Sequence, residues 1–252
     1  MAKPPPPGRC VHCLVDPIER NWDHVFPLSW YPDTTPPNID KWKIPSCVAC
    51  NDSLGIMEDD LFVLLAHVLD PSRPGSIGLY ERARRAIDPK CGKDERDSRA
   101  RAARKSRFLR NVLMGEAIPD HGVYPGLGDR FDQDPSERIA LHFPKLSVER
   151  ITRKIVRGLT FIEGGQFILP PLTIDVFVLD MDGASPLREA LDRFGKEHVR
   201  GPGITVRRAV ADDSQSAVFE IEFFQQFKTH AVVLVNEPAD EVSTNDVKLP
   251  PT

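Results

Sequence analysis

Four cysteines in two close pairs, Cys10-x-x-Cys13 and Cys47-x-x-Cys50, are the residues of this chain best placed for chemistry. Each pair can chelate one ion from a tight turn, and two pairs complete a tetrahedral thiolate site for structural zinc. Such a site has no open coordination position, so any catalysis must lie elsewhere. The 33 residues between the pairs exceed the spacing of a minimal zinc ribbon and leave room for a second constellation. That insertion holds Asp23, His24 and Asn38, and Asn51 follows Cys50 directly. If the cysteines clamp two strands to the start of a helix, Asp23 and Asn51 come close together. Two oxygen ligands with positions left for water suit Mg²⁺ or a similar hard cation. A neutral His24 beside them can take a proton from water.

The run "CVHC … DHVFP … N … CVACN", over about residues 10 to 60, resembles the HNH endonucleases, also called His-Me finger or ββα-metal nucleases, in their four-cysteine zinc form. The resemblance implies a metal-dependent DNA endonuclease. His24 would be the general base, and Asp23 and Asn51 would hold a catalytic Mg²⁺ or Mn²⁺. Asn38 would orient His24, and Cys10, Cys13, Cys47 and Cys50 would hold structural zinc. The last letter of the family motif is often His and here is Asn51. Taken singly, Asp-His is an ordinary surface pair, Asn38 a turn residue and Asn51 a helix N-cap. Their register with the four cysteines is what makes them a candidate site. The reading from another class is a zinc-ribbon module that binds nucleic acid or protein without cutting.

The elements that must position these residues fall into three parts. Residues 8–70 carry the motif, with two short strands expected between Val11 and Pro27 and a helix from Asn51 on. Leu54, Met57, Leu61, Leu64, Leu65 and Val68 recur there at helical spacing. Glu58 reads as a surface acid of that helix, with a ligand role at the catalytic ion as the alternative. Trp22 and Trp30 read as core of the small domain, His67 as partly buried, and His12 as exposed or a phosphate contact.

Residues 76–117 read as two helices, the second from Glu95 to about Met114. Residues 120 to 135, rich in Gly, Asp and Pro, read as a linker. Residues 135–252 read as an α+β domain with a largely antiparallel sheet. It comprises a helix capped by Ser147, a strand over 173–182, a helix opened by Ser185-Pro186 and three further strands. A hairpin is expected at Gly164-Gly165. The expected fold class is α+β throughout.

The formal charge of −4 hides an asymmetry. Residues 81–110 hold 12 Lys and Arg against 5 Asp and Glu, whereas the segments on either side are acidic. A local basic block between acidic segments suits a polyanion such as DNA or a solvated helix face. Arg82, Arg85, Arg99, Arg101, Arg104, Lys105 and Arg107 are the candidate phosphate contacts, which give affinity rather than sequence choice. A second copy of the chain is a further candidate partner. The opening residues lack the apolar core of a signal peptide, and the longest apolar run, 61–68, is far short of a membrane span. The expectation is a cytoplasmic protein without membrane contact.

Overall fold

In the computed structural model, residues 3–118, 139–177 and 185–235 are described. Strand β1 (Arg20–His24) pairs antiparallel with β2 (Lys43–Cys47), Asp23 opposite Ile44 and Arg20 opposite Cys47. Helix α1 (Val48–Val68) starts directly from β2, and the Cys47 sulfur accepts from the backbone N–H of Cys50. The order is strand, strand, helix as expected, but the second strand is not in Val11–Pro27. Cys10 to Leu14 forms a tight turn with Leu14 at φ 65, and only a single bridge, Gly8 to Ile18, precedes β1. Pro17 has no N–H to continue a ladder. The partner strand is "KIPSC", beyond an 18-residue loop.

Helix α2 (Leu79–Ile87) and helix α3 (Glu95–Leu109) pack on α1. Helix α3 stops five residues short of the expected Met114. Val112–Met114 instead forms strand β3, antiparallel to β4 (Ile139–Leu141). Helix α4 (Lys145–Gly164) begins at Pro144 rather than at a Ser147 cap. The pair Gly164-Gly165 ends this helix instead of turning a hairpin, with Gly165 at φ 64. A glycine pair signals a helix stop as readily as a two-residue turn.

The remaining elements form the expected antiparallel sheet. Its strands are β5 (Leu172–Phe177), β6 (Lys196–Val199), β7 (Ile204–Val210), β8 (Ala217–Phe223) and β9 (Phe227–Val235), in the order β5-β9-β8-β7-β6. Helix α5 (Ser185–Phe194) starts at the expected Ser-Pro. The chain is thus α+β with five α-helices among the described residues. The expected linker (120–135) and the end of the 173–182 strand lie outside them.

One hydrophobic core runs through all three sequence segments, from Val11 in the cysteine region to Val233 in β9. Trp30 is fully buried, with its ring edge on Phe223. Trp22 is not core: it is partly exposed, and its indole N–H donates to the Lys3 carbonyl. Helix α4 closes on the hairpin at Gly158. A Cβ there would come within 2.9 Å of Val25 and 3.4 Å of Ile44, so only glycine allows this approach. No helix among the described residues is long and apolar enough to cross a membrane.

Candidate metal centre and His24 cleft

The four cysteines converge where the Cys10–Leu14 turn meets the junction of β2 and α1. Their sulfurs all lie within 4.8 Å of one another, and Cys13 Sγ is 3.8 Å from Cys47 Sγ. A tetrahedral zinc with bonds of about 2.3 Å has sulfurs about 3.8 Å apart, so the cluster matches its dimensions. Backbone N–H groups of His12 and Cys47 point at Cys10 Sγ at 3.4 and 3.3 Å. Burial opposes ionisation of Cys10, but these N–H groups and that of Cys13 outweigh it and bring the thiol down to about 6. Burial and the neighbouring sulfurs push Cys50 well up. Four sulfurs at this separation cannot all be thiolates without a cation among them, so the donor set fits zinc. The Arg157 guanidinium, on α4, lies in the field of Cys50, Cys10 and Cys13.

Asp23, His24 and Asn51 are close in the fold but do not converge. Asn51, in the first turn of α1, donates its amide to Asn21 Oδ1 at 3.0 Å. Asp23 is buried and both its oxygens are taken: Lys154 Nζ donates to Oδ1 at 2.8 Å, and His12 Nε2 lies 3.0 Å from Oδ2. Burial holds His12 below the ordinary histidine range, so its ring is neutral and Nε2 carries the donated hydrogen. Burial alone would raise the Asp23 carboxyl. The His12 hydrogen bond and the Lys154 charge outweigh it and hold the group below the ordinary carboxylate range. Lys154 also donates to Glu58 Oε1 at 2.5 Å.

Two sequence readings are corrected here. Glu58 is not a surface acid: it is buried, with its carboxyl pushed up by that burial. His12 is neither exposed nor free for phosphate. The expected hard-cation site therefore does not fit these residues. The Asp23 carboxylate is saturated by an ammonium and an imidazole, and the Asn51 amide oxygen does not make a cation site by itself. Among the described residues, the four cysteines are the one grouping of three or more His, Cys, Asp or Glu side chains arranged to hold an ion.

His24 points to the other face of β1. It is half-buried and lines an open polar cleft with Pro37, Ile39, Asp40, Lys41 and Lys43. Burial, then the Lys43 charge, hold its ring below the ordinary histidine range, so it is neutral at pH 7. Asn38 is exposed in the turn between Pro37 and Ile39 and makes no hydrogen bond to His24. The loop carrying it is braced from the C-terminal sheet. Gly201, at the β6–β7 turn, lies against Thr35 and Ile39, and the Arg200 guanidinium stacks 3.5 Å over the Trp42 ring.

The basic helices divide into two groups. Arg82 donates to the carbonyls of Ser29 and Tyr31 and pairs with Asp33. Arg104 pairs with Asp59 and donates to the Ala86 carbonyl. Arg107 grips Asp60 with two hydrogen bonds, and Arg101 pairs with Asp97 and the Arg85 carbonyl. These four tie α2 and α3 to each other, to α1 and to the 29–33 loop, so they are not the free phosphate contacts that charge counting suggests. Arg85, Arg99 and Lys105 are exposed, with Arg99 paired only to Glu95 on its own helix. His67 is held by the Val63 carbonyl and the Phe108 and Tyr80 rings, a structural role.

The residue that sequence reasoning missed is Lys154. Its signal was present: 151, 154, 155, 158 and 159 form one helical stripe, and a lysine stands on it among Ile151, Ile155 and Leu159. No protein-family model matches this chain, and no curated protein or solved structure matches it.

Proposed function

We propose that this chain is a phosphodiesterase of the HNH endonuclease type acting on DNA, in which His24 takes a proton from the attacking water. The observation that carries the reading is the placement of a neutral His24 at the end of β1, which pairs with the cysteine-bearing β2, facing an open cleft with Lys41 and Lys43. A neutral imidazole can accept a proton from water as the water attacks phosphorus. Two ammonium groups beside it can balance the charge that builds on the phosphate oxygens. Arg85, Arg99 and Lys105 would add sequence-independent contacts to the backbone. No step is assigned to a divalent ion, because both Asp23 oxygens are taken by Lys154 and His12.

A second reading is favoured by one observation, the commitment of Asp23 to Lys154. On that reading the module keeps its zinc and its lysine cleft and binds DNA without cutting it.

The deciding experiment is plasmid nicking by zinc-loaded wild type and His24→Ala, with and without Mg²⁺ or Mn²⁺. Removing a general base should lower the nicking rate about 10²- to 10⁴-fold while zinc content stays unchanged. Equal rates for the two proteins would defeat the hydrolase reading. Binding by both with cutting by neither would establish the second.

A further inference from the structure

We infer that the Lys154 ammonium is the resident cation of the ββα core, and that Asp23 is not a ligand for a divalent ion in this chain. The inference draws on the HNH reading only for the reason a divalent ion was expected; the placement of the ammonium stands without it.

Lys154 reaches the interface of β1 and α1 from α4, 131 residues along the chain from Asp23 and 96 from Glu58. Its side chain is 1 % exposed, and its Nζ lies between the Asp23 carboxylate at 2.8 Å and the Glu58 carboxylate at 2.5 Å. One acid comes from the strand and one from the helix, the two elements a metal would otherwise bridge. The placement is built: Gly158, one turn along α4, removes the Cβ that would hold the helix away from Val25 and Ile44.

A divalent ion has three obstacles. Mg²⁺ or Mn²⁺ needs about six oxygens at roughly 2.1 Å and keeps several waters, whereas Asp23 is sealed within the core. Asp23 Oδ2 is already turned to His12. An ammonium within hydrogen-bonding distance would repel a second cation of higher charge. A lysine meets the same need without water, since its three N–H donors supply charge and hydrogen bonds together. Any hydrolysis at His24 would then proceed without an exchangeable ion at Asp23, its charge balance resting on Lys41 and Lys43.

The test uses the full zinc-loaded chain and does not read cleavage, so it can fail or succeed independently of the hydrolase reading. Mn²⁺ is titrated by electron paramagnetic resonance into wild type and Asp23→Asn. The expected result is the same number of bound ions with affinities within about twofold, reflecting weak surface carboxylates only. One Mn²⁺ per chain that Asp23→Asn loses would overturn the inference. As a second measurement, surface lysines are acetylated and mapped by mass spectrometry. Lys41 and Lys43 should react and Lys154 should stay unmodified, with or without millimolar Mn²⁺. Reaction of Lys154 once Mn²⁺ is added would mean that the ion displaces it, and would equally overturn the proposal.

Discussion

Replacing Lys154 by Met keeps the length and most of the packing of the side chain but removes the ammonium. The carboxylates of Asp23 and Glu58 are then left in the core without their cation. Breaking a buried ion pair by removing one partner costs about 3–5 kcal/mol, because the remaining charge is uncompensated. Glu58 can relieve part of this by taking up a proton, so we place the loss near the lower end, about 3 kcal/mol at pH 8. For a chain of this size that is roughly 6–12 °C in Tm. The loss should also depend on pH, with a definite sign. Burial already pushes the Glu58 carboxyl above its ordinary value, and the Lys154 charge is what restrains it. Without that charge it rises further, so the folded variant binds more protons than the unfolded chain over a wider window. Stability then falls as pH rises through that window, and the deficit of the variant shrinks on going from pH 8 to pH 5.5. Urea unfolding of zinc-saturated proteins, followed by the fluorescence of buried Trp30, measures both quantities. A deficit under about 1 kcal/mol at pH 8, or one that grows at pH 5.5, would refute the argument.

Four further outcomes are expected. Replacing exposed Arg85, Arg99 and Lys105 together by Ala should weaken DNA binding and flatten its salt dependence by up to about three units of slope, with Tm unchanged. Arg104→Ala or Arg107→Ala should instead cost about 1 kcal/mol of stability each, since these part-exposed arginines tie α3 to Asp59 and Asp60. Cys13→Ser should bring zinc from about one per chain to near zero by elemental analysis, and lower Tm by uncoupling the Cys10 turn from α1. Glu220 on β8 is held at about 2, chiefly by its hydrogen bond with His230 and against the cost of burial. Its contribution is therefore present above the ordinary carboxylate value and lost as pH falls towards 2. Glu220→Gln should cost about 2–3 kcal/mol at pH 7, and the gap to wild type should close in acid unfolding between about pH 4.5 and 2.

Local signals in the sequence were strong wherever the chemistry was local. Two Cys-x-x-Cys pairs specify a thiolate cluster because each pair needs only a tight turn, and the cluster forms. The apolar runs of α1 and of β7 to β9 were equally legible as elements, although their burial is not confined to one face: residues 61–66 of α1 and 229–233 of β9 are buried consecutively. The boundaries that failed are those where two local signals agree in type but not in consequence. Gly164-Gly165 suits a turn and a helix stop alike, and the tertiary packing of α4 decides. The partner of β1 was misplaced because a strand as short as "KIPSC" carries little pattern of its own. Charge counting assigned seven cations to DNA, but it could not see Asp33, Asp59 and Asp60 waiting across the fold.

The missing piece of the candidate site has a different cause. Asp23 and His24 are adjacent in sequence, yet the strand sends them to opposite faces, one into the core and one into an open cleft. What each can do is set by what faces it, and the group facing Asp23 comes from residue 154. A motif confined to residues 10–60 therefore describes a module that is not self-sufficient. If residues 8–70 were excised, Asp23 and Glu58 would lose their counter-charge, and Val25 and Ile44 would lose the helix packed on them. The burial that makes Asp23 structural would go with them, and its carboxylate would turn to water. The C-terminal segment thus completes the core into which Asp23 is buried. It converts the acid of an Asp-His pair from an available ligand into half of a buried ion pair and leaves the histidine alone in its cleft.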